Sequence, residues 1–143
     1  MMDTRRYVFG AFMNESLKPN GRNYFGNDEC CVVSIFPQFN VYKWQPSNNE
    51  QFVLATDSFI GFGGGGAFAL WLDSSFEKGT SESCFTFGNT TSLASSEVFT
   101  CAAVEIWTIV SPALHKTLGR KALKTMTSVM GRLASKASTG KPY

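Results

Sequence analysis

The sequence is poor in the features that mark several large protein classes. No apolar run reaches about 18 residues, so no transmembrane helix is predicted, and the first residues lack the apolar run of a signal peptide. The chain has a single histidine, His115, and no pair of cysteines spaced as CxxC, so neither a metal site nor a cofactor is expected. A cytosolic location is therefore predicted. The four cysteines are expected to stay reduced there: Cys30, Cys31, Cys84 and Cys101.

Acidic residues are missing from the end of the chain. Residues 113–143 hold seven Lys and Arg and no acid, a net charge of +7, whereas residues 1–112 hold six basic and eleven acidic residues, a net charge of −5. Such a division predicts that the two parts have different partners. Nucleic acid is not among them, because the basic residues lack interleaved aromatics and the body is acidic.

The basic tail has the pattern of an amphipathic helix over 112–137, followed by a disordered end at 138–143. Pro112 can begin a helix after Ser111 as its N-cap. One sector of the helix is apolar, and the basic side chains lie mostly outside it. The residues expected to bind a partner are Leu118, Arg120, Lys121, Lys124, Met126, Met130 and Leu133. The helix could dock on its own domain, lie in a groove of another protein, or bind an anionic membrane surface.

The body, residues 1–111, reads as six or seven short apolar segments separated by polar turns. The clearest are residues 7–12, 30–36, 39–44, 51–56, 67–72 and 97–110. This spacing, without helical crossovers, favours an antiparallel β-sandwich or barrel. The continuous apolar run at 30–36 predicts a strand that is covered on both faces.

Four consecutive glycines, residues 63–66, precede one of the most apolar runs of the chain. Together with Gly61 they match G-x-G-x-x-G, but a strand pattern follows where a dinucleotide site needs a helix, and no GK[ST] ending is present. We therefore interpret the tract as a seam at which another backbone or a large ring approaches closely. The candidate rings are Phe62, Phe68 and Trp71.

No residue pattern predicts a catalytic site. The alternative is a thiol- or carboxylate-dependent antioxidant activity centred on Cys84 and Asp73. Cys84 has no cationic neighbour in sequence to activate its thiol, and Asp73 begins a polar turn. We therefore predict that the protein is not an enzyme.

A series of short motifs resembles the TLDc domain family. Residues 8–12 (VFGAF), 24–26 (YFG) and 41–44 (VYKW) resemble the middle of that domain, and the glycine tract is similar to its glycine-rich signature before an "LW(I/L)D" strand. Residues 79–89 are similar to its "GxSxxCxTFxN" segment and residues 103–107 to its closing "EVW" strand. The signature positions are Gly63, Gly64, Gly65, Gly66, Trp71, Asp73, Ser83, Cys84, Thr86, Phe87, Glu105 and Trp107.

The resemblance implies a mainly β (α+β) fold, a sandwich of two antiparallel sheets, and no agreed catalytic mechanism. It also implies a role in oxidative-stress resistance and in binding and regulating the vacuolar proton pump, V-ATPase, which would place the protein on or near organelle membranes. Family members carry a further segment before the first motif, so the sandwich is expected to be incomplete at its N-terminus. The sequence also departs from the family at Thr80 and Phe85, where Arg and Glu are common.

Overall fold

A computed structural model describes residues 1–19 and 21–108. Residues up to Glu105 form one compact unit, and residues 106–108 belong to a second. The described residues contain strands and turns and no helix. The nine strands are β1 Met2–Asp3, β2 Val8–Phe12, β3 Cys31–Phe36, β4 Asn40–Lys43, β5 Val53–Ala55, β6 Phe59–Phe62, β7 Leu70–Asp73, β8 Lys78–Thr80 and β9 Val98–Ala103.

The strands form one continuous antiparallel sheet in the order β4-β3-β2-β1-β9-β8-β7-β6-β5. The prediction of an antiparallel β fold is confirmed, whereas the prediction of two separate sheets is wrong. The reason lies in β9, whose first half pairs with β8 through Phe99 and Gly79 and whose second half pairs with β1 through Cys101 and Asp3. A strand that pairs on both edges joins what the sequence suggested were two sheets.

The sheet folds over so that strands far apart in its order meet around one core. Phe25, between β2 and β3, exchanges two backbone hydrogen bonds with Val53 of β5, at N–O distances of 2.9 and 3.0 Å. The rings of Phe9 (β2) and Phe99 (β9) pack edge to face with centroids 5.0 Å apart. Val32 of β3 and Leu70 of β7, from opposite halves of the sheet, are fully buried in the same cluster.

Three strands were missing from the sequence prediction, and one was assigned the wrong environment. Strand β1 has only two residues, β6 contains Gly61 and runs into the glycine tract, and β8 is the polar segment Lys78–Thr80. The predicted last strand, 97–110, ends at Ala103. Strand β3 is covered on one face only: Val32 is buried, but Ile35 and Phe36 are exposed.

A buried carboxylate anchors the first strand. Asp3 is almost fully buried, and its Oδ1 accepts hydrogen bonds from the amides of Arg5 and Tyr7, while its Oδ2 accepts one from the amide of Ser95, each at 2.9 Å. Burial alone would raise the pKa of Asp3, but these donors, Ser95 first among them, outweigh burial and lower the pKa below its usual value. The side chain thereby ties β1 to the loop before β9.

Candidate functional site

The glycine tract follows β6 and is filled by neighbouring side chains. Gly63 and Gly65 have φ values of 89° and 86°, in the left-handed region that side chains disfavour. A Cβ at Gly63 would collide with the Sγ of Cys84, and one at Gly65 would lie 2.9 Å from the Cβ of Phe85. Gly63 and Gly64 are buried and closely packed, as the seam interpretation expects, whereas Gly65 and Gly66 are exposed and a Cβ at Gly66 would meet open space. Phe68, one of the predicted rings, packs against Gly61. The aromatic residues that pack against Gly63 and Gly65 are Phe87 and Phe85, which were not predicted.

Thr86 joins the tract to a distant loop. It is fully buried, and its hydroxyl accepts a hydrogen bond from the amide of Gly64 at 2.9 Å and donates one to Oδ1 of Asn49 at 2.6 Å. The same Asn49 oxygen accepts the amide of Gln51 at 3.1 Å. We call these four residues, Asn49, Gln51, Gly64 and Thr86, the threonine knot.

Cys84 lies beside the threonine knot, and both its thiol and its backbone amide donate hydrogen bonds. Its thiol is buried and donates to the carbonyl of Gly64 at 3.3 Å, and its amide donates to the carbonyl of Asn89 at 3.1 Å. The side-chain amide of Asn89 donates to the carbonyls of Glu82 and Thr91 at 2.7 and 3.0 Å and so holds the turn that carries Cys84. These contacts fix a loop, and none of them presents the sulfur to solvent.

Asp73, the other residue of the alternative catalytic pair, caps a turn. At the end of β7 its carboxylate accepts the hydroxyl of Ser75 at 2.7 Å and the amides of Glu77 and Lys78 at 3.0 and 3.3 Å. Burial is the largest single influence and would raise the pKa of Asp73, but these donors and the positive charge of Lys78 together outweigh it and lower the pKa. Cys84 and Asp73 thus have separate partners, and no contact brings them into one reaction centre.

The other signature residues do not gather at the knot. Trp71 lies on the opposite face of β7 from the buried Leu70 and Leu72, with its ring centroid 5.9 Å from that of Phe59. Ser83 is exposed and Phe87 is buried. Glu105 is exposed at the end of the first compact unit, and the side chain of Trp107, in the second, is 84% exposed. The predicted tail residues, 112–137 and 138–143, lie outside the described residues.

A broad apolar surface was not predicted from the sequence. The pairing of β2, β3 and β4 aligns their residues in rows across the three strands. One row is Gly10, Val33 and Val41, and the next is Phe12, Cys31 and Lys43. These side chains point away from the core, because the alternate residues Phe9, Ala11, Val32 and Tyr42 pack into it. We call this surface the outer face; it comprises Gly10, Phe12, Cys31, Val33, Ile35, Phe39, Val41 and Lys43.

The outer face exposes more apolar area than scattered surface residues would. Phe12, Ile35, Phe39 and Val41 are 42, 50, 68 and 43% exposed. With about 150–250 Å² for a whole aromatic side chain, the four together expose on the order of 350 Å². Contiguous patches of a few hundred Å² on a soluble domain commonly mark interaction sites. The sequence signal for this face was the alternation within each strand, which the apolar run at 30–36 concealed.

Among the described residues, no group of three or more His, Cys, Asp or Glu side chains is placed to hold a metal ion. Nor does that part of the chain contain a helix long and apolar enough to cross a membrane.

Both the antiparallel β fold and the glycine-linked knot are consistent with the motif series, and residues 1–110 match the TLDc domain family. The protein belongs to that family. Its relatives include Oxidation resistance protein 1 of Bos taurus and of Homo sapiens, each 42% identical over 105 residues, which cover 73% of this chain and 12% of the relative. Nuclear receptor coactivator 7 of Mus musculus is 36% identical over 107 residues, 74% of this chain and 11% of that protein. The chain thus spans about one eighth of the length of these curated relatives.

Proposed function

We propose that this TLDc protein is a non-catalytic interaction domain that binds V-ATPase, regulates it and contributes to oxidative-stress resistance. The observation that supports an interaction role most directly is the outer face, an apolar sheet surface on a domain whose signature residues Asp73, Cys84 and Thr86 are engaged in structural hydrogen bonds. Family membership supports the stress role, since several relatives are named for oxidation resistance. V-ATPase enters as the partner through the resemblance described above.

The contacts of the signature residues favour binding over catalysis. The hydroxyl of Thr86 and the thiol of Cys84 are buried and used to hold the glycine tract, and the carboxylate of Asp73 is used to cap a turn. A nucleophile or general base needs a free lone pair directed at a substrate. The antioxidant-enzyme alternative would therefore require Cys84 to leave its hydrogen bond and become exposed.

The basic tail supplies a second contact in this proposal. Residues 113–143 carry a net charge of +7 against −5 for the rest of the chain. We expect it to strengthen or gate the contact with the pump, or to hold the protein at an anionic membrane surface. Either role would place the protein in the cytoplasm, at the surface of vacuolar or lysosomal membranes.

Recovery of pump subunits from solubilised vacuolar membranes tests the proposal. The full chain is used as bait beside two matched variants, Val41→Asp on the outer face and Val98→Asp on the exposed part of β9, which is 71% exposed. We expect the full chain and Val98→Asp to recover the pump, and Val41→Asp to recover much less, because a buried unpaired carboxylate opposes docking.

Three results decide the matter. If the full chain recovers no pump subunits, the proposed partner is wrong. If both variants recover the pump equally, the outer face is not the contact surface. A charge-reversed tail, with Lys121→Glu and Lys124→Glu, tests the second contact in the same assay, and unchanged recovery at low salt would remove the tail from the proposal.

A further inference from the structure

A small cleft opens at one end of the β3–β4 pair. Since Cys31 pairs with Lys43, the segment before β3 and the segment after β4 emerge at the same end of the sheet. The cleft between them has a volume of about 250 Å³ and is lined by Gly26, Asn27, Asp28, Trp44, Glu50 and Phe52. It is smaller than the roughly 300–1,000 Å³ typical of cofactor and drug-sized ligand sites. Its size suits a single side chain.

Aromatic surface forms part of this cleft and is held rigidly. The indole of Trp44 donates its N–H to the carbonyl of Asn49 at 2.8 Å, and its ring lies 5.9 Å from the ring of the buried Phe52. The Trp44 N–H is therefore already used, which leaves its apolar ring to contact a ligand. Gly26, with φ 94°, packs closely on the core beneath the cleft, where an added Cβ would lie 2.8 Å from the Sγ of the buried Cys30.

The charged residues that line the cleft are both acidic. Asp28 and Glu50 line it from the two loops, both are exposed, and none of the six described lining residues is basic. Two carboxylates beside an indole ring attract a cation in two ways, by charge and by the negative face of the ring. An aliphatic stem can rest on the aromatic surface while its charged end reaches the carboxylates.

We propose that this cleft binds a lysine or arginine side chain of a basic segment in a partner protein. Asp28 and Glu50 pair with the charged end, and Trp44 and Phe52 contact the stem. A neutral side chain of the same length would keep the apolar contact and lose the charge interaction. The cleft would therefore select basic sequences. This inference goes beyond the proposed function and does not depend on the identity of the pump.

Titration of the ¹⁵N-labelled full chain with Nα-acetyl-lysine amide and Nα-acetyl-arginine amide tests the proposal by NMR. The reporter is the indole N–H signal of Trp44, assigned by its loss in Trp44→Phe. The neutral twin is the lysine compound acetylated on its Nζ as well. We expect a saturable shift with the two cations, in the millimolar range typical of one side chain, that weakens as salt is added.

Carboxylate substitutions identify the groups responsible. Asp28→Asn and Glu50→Gln should each weaken binding about threefold or more, while Asp57→Asn, an exposed acid in the turn between β5 and β6, should leave it unchanged. The amide variants preserve size, so their folding can be compared directly by the rest of the spectrum. Three results would each overturn the proposal: no saturable shift, an equal shift with the neutral twin, or equal weakening by Asp57→Asn.

Discussion

Replacing Thr86 by Val removes one hydroxyl from the centre of the threonine knot and changes little else. The two side chains have nearly the same shape, so the packing around position 86 is preserved. What disappears is the acceptor for the Gly64 amide at 2.9 Å and the donor to Asn49 Oδ1 at 2.6 Å. Position 86 is fully buried, so water does not replace these partners without rearrangement.

The expected loss of stability follows from which groups are left without partners. The Gly64 amide is left buried and unpaired, which costs about 1–3 kcal/mol. Asn49 Oδ1 keeps the amide of Gln51, so losing the Thr86 donor costs only about 0.5–1.5 kcal/mol there. The free energy of unfolding should fall by about 2–4 kcal/mol. For a domain of this size that corresponds to a decrease in Tm of roughly 10–25 °C.

Thermal and urea unfolding of the full chain, followed by circular dichroism, measures this difference. Thr86→Ser is the matched control: it keeps the hydroxyl, loses one methyl group, and should cost only about 0.5–1.5 kcal/mol. The decisive comparison is between the two variants. If Thr86→Val is as stable as Thr86→Ser, the hydroxyl does not hold the glycine tract, and our account of the signature residues fails.

Three further outcomes are expected. Asp3→Asn should destabilise the protein by about 1.5–3 kcal/mol at pH 7. Because folding lowers the Asp3 pKa, the stabilisation by its carboxylate is present above the ordinary pKa of 3.8 and is lost as the pH falls through the pKa of the folded protein. If urea unfolding gives the same stability difference between the parent protein and Asp3→Asn down to pH 2, the assignment is contradicted. Gly79→Ala should lower the free energy of unfolding by about 1–3 kcal/mol, because the new Cβ would lie 2.6 Å from the carbonyl oxygen of Trp71. Gly10→Ala is the control, since its Cβ would meet open space and stability should hardly change. Similar Tm values for the two variants would refute the packing argument. Purified protein and Cys84→Ser should consume peroxide at the same background rate, and a Cys84-dependent rate would favour the enzymatic alternative.

The sequence predicted the class of fold because it depends on local patterns. Short apolar segments between turn residues indicated antiparallel strands, and the order of the motifs indicated the family. The glycine tract was understood for a similar reason: its flanks belonged to one core, so close packing was the remaining explanation. Strands β1, β6 and β8 were missed because β1 has two residues, β6 runs into the glycine tract, and β8 is polar.

The outer face shows how a correct local prediction can miss the surrounding structure. Residues 30–36 were recognised as a strand, but an apolar run looks the same whether its second face is covered or open. Only the position of β3 between β2 and β4, with Val33 and Ile35 directed outward, revealed the open face. The cleft was invisible for a different reason, since its walls, Asp28 and Glu50, are brought together by the pairing of Cys31 with Lys43.

By itself, the sequence determined the β character of the body, the family and the separation of charge between body and tail, because these depend on residue order and composition alone. Tertiary structure decided that β9 joins the strands into one sheet, that Cys84 and Asp73 serve separate turns, and that Thr86 holds Gly64 and Asn49 together. Those outcomes depend on contacts between residues tens of positions apart. Such contacts are set by how the whole sheet folds over its core, and no local pattern encodes them.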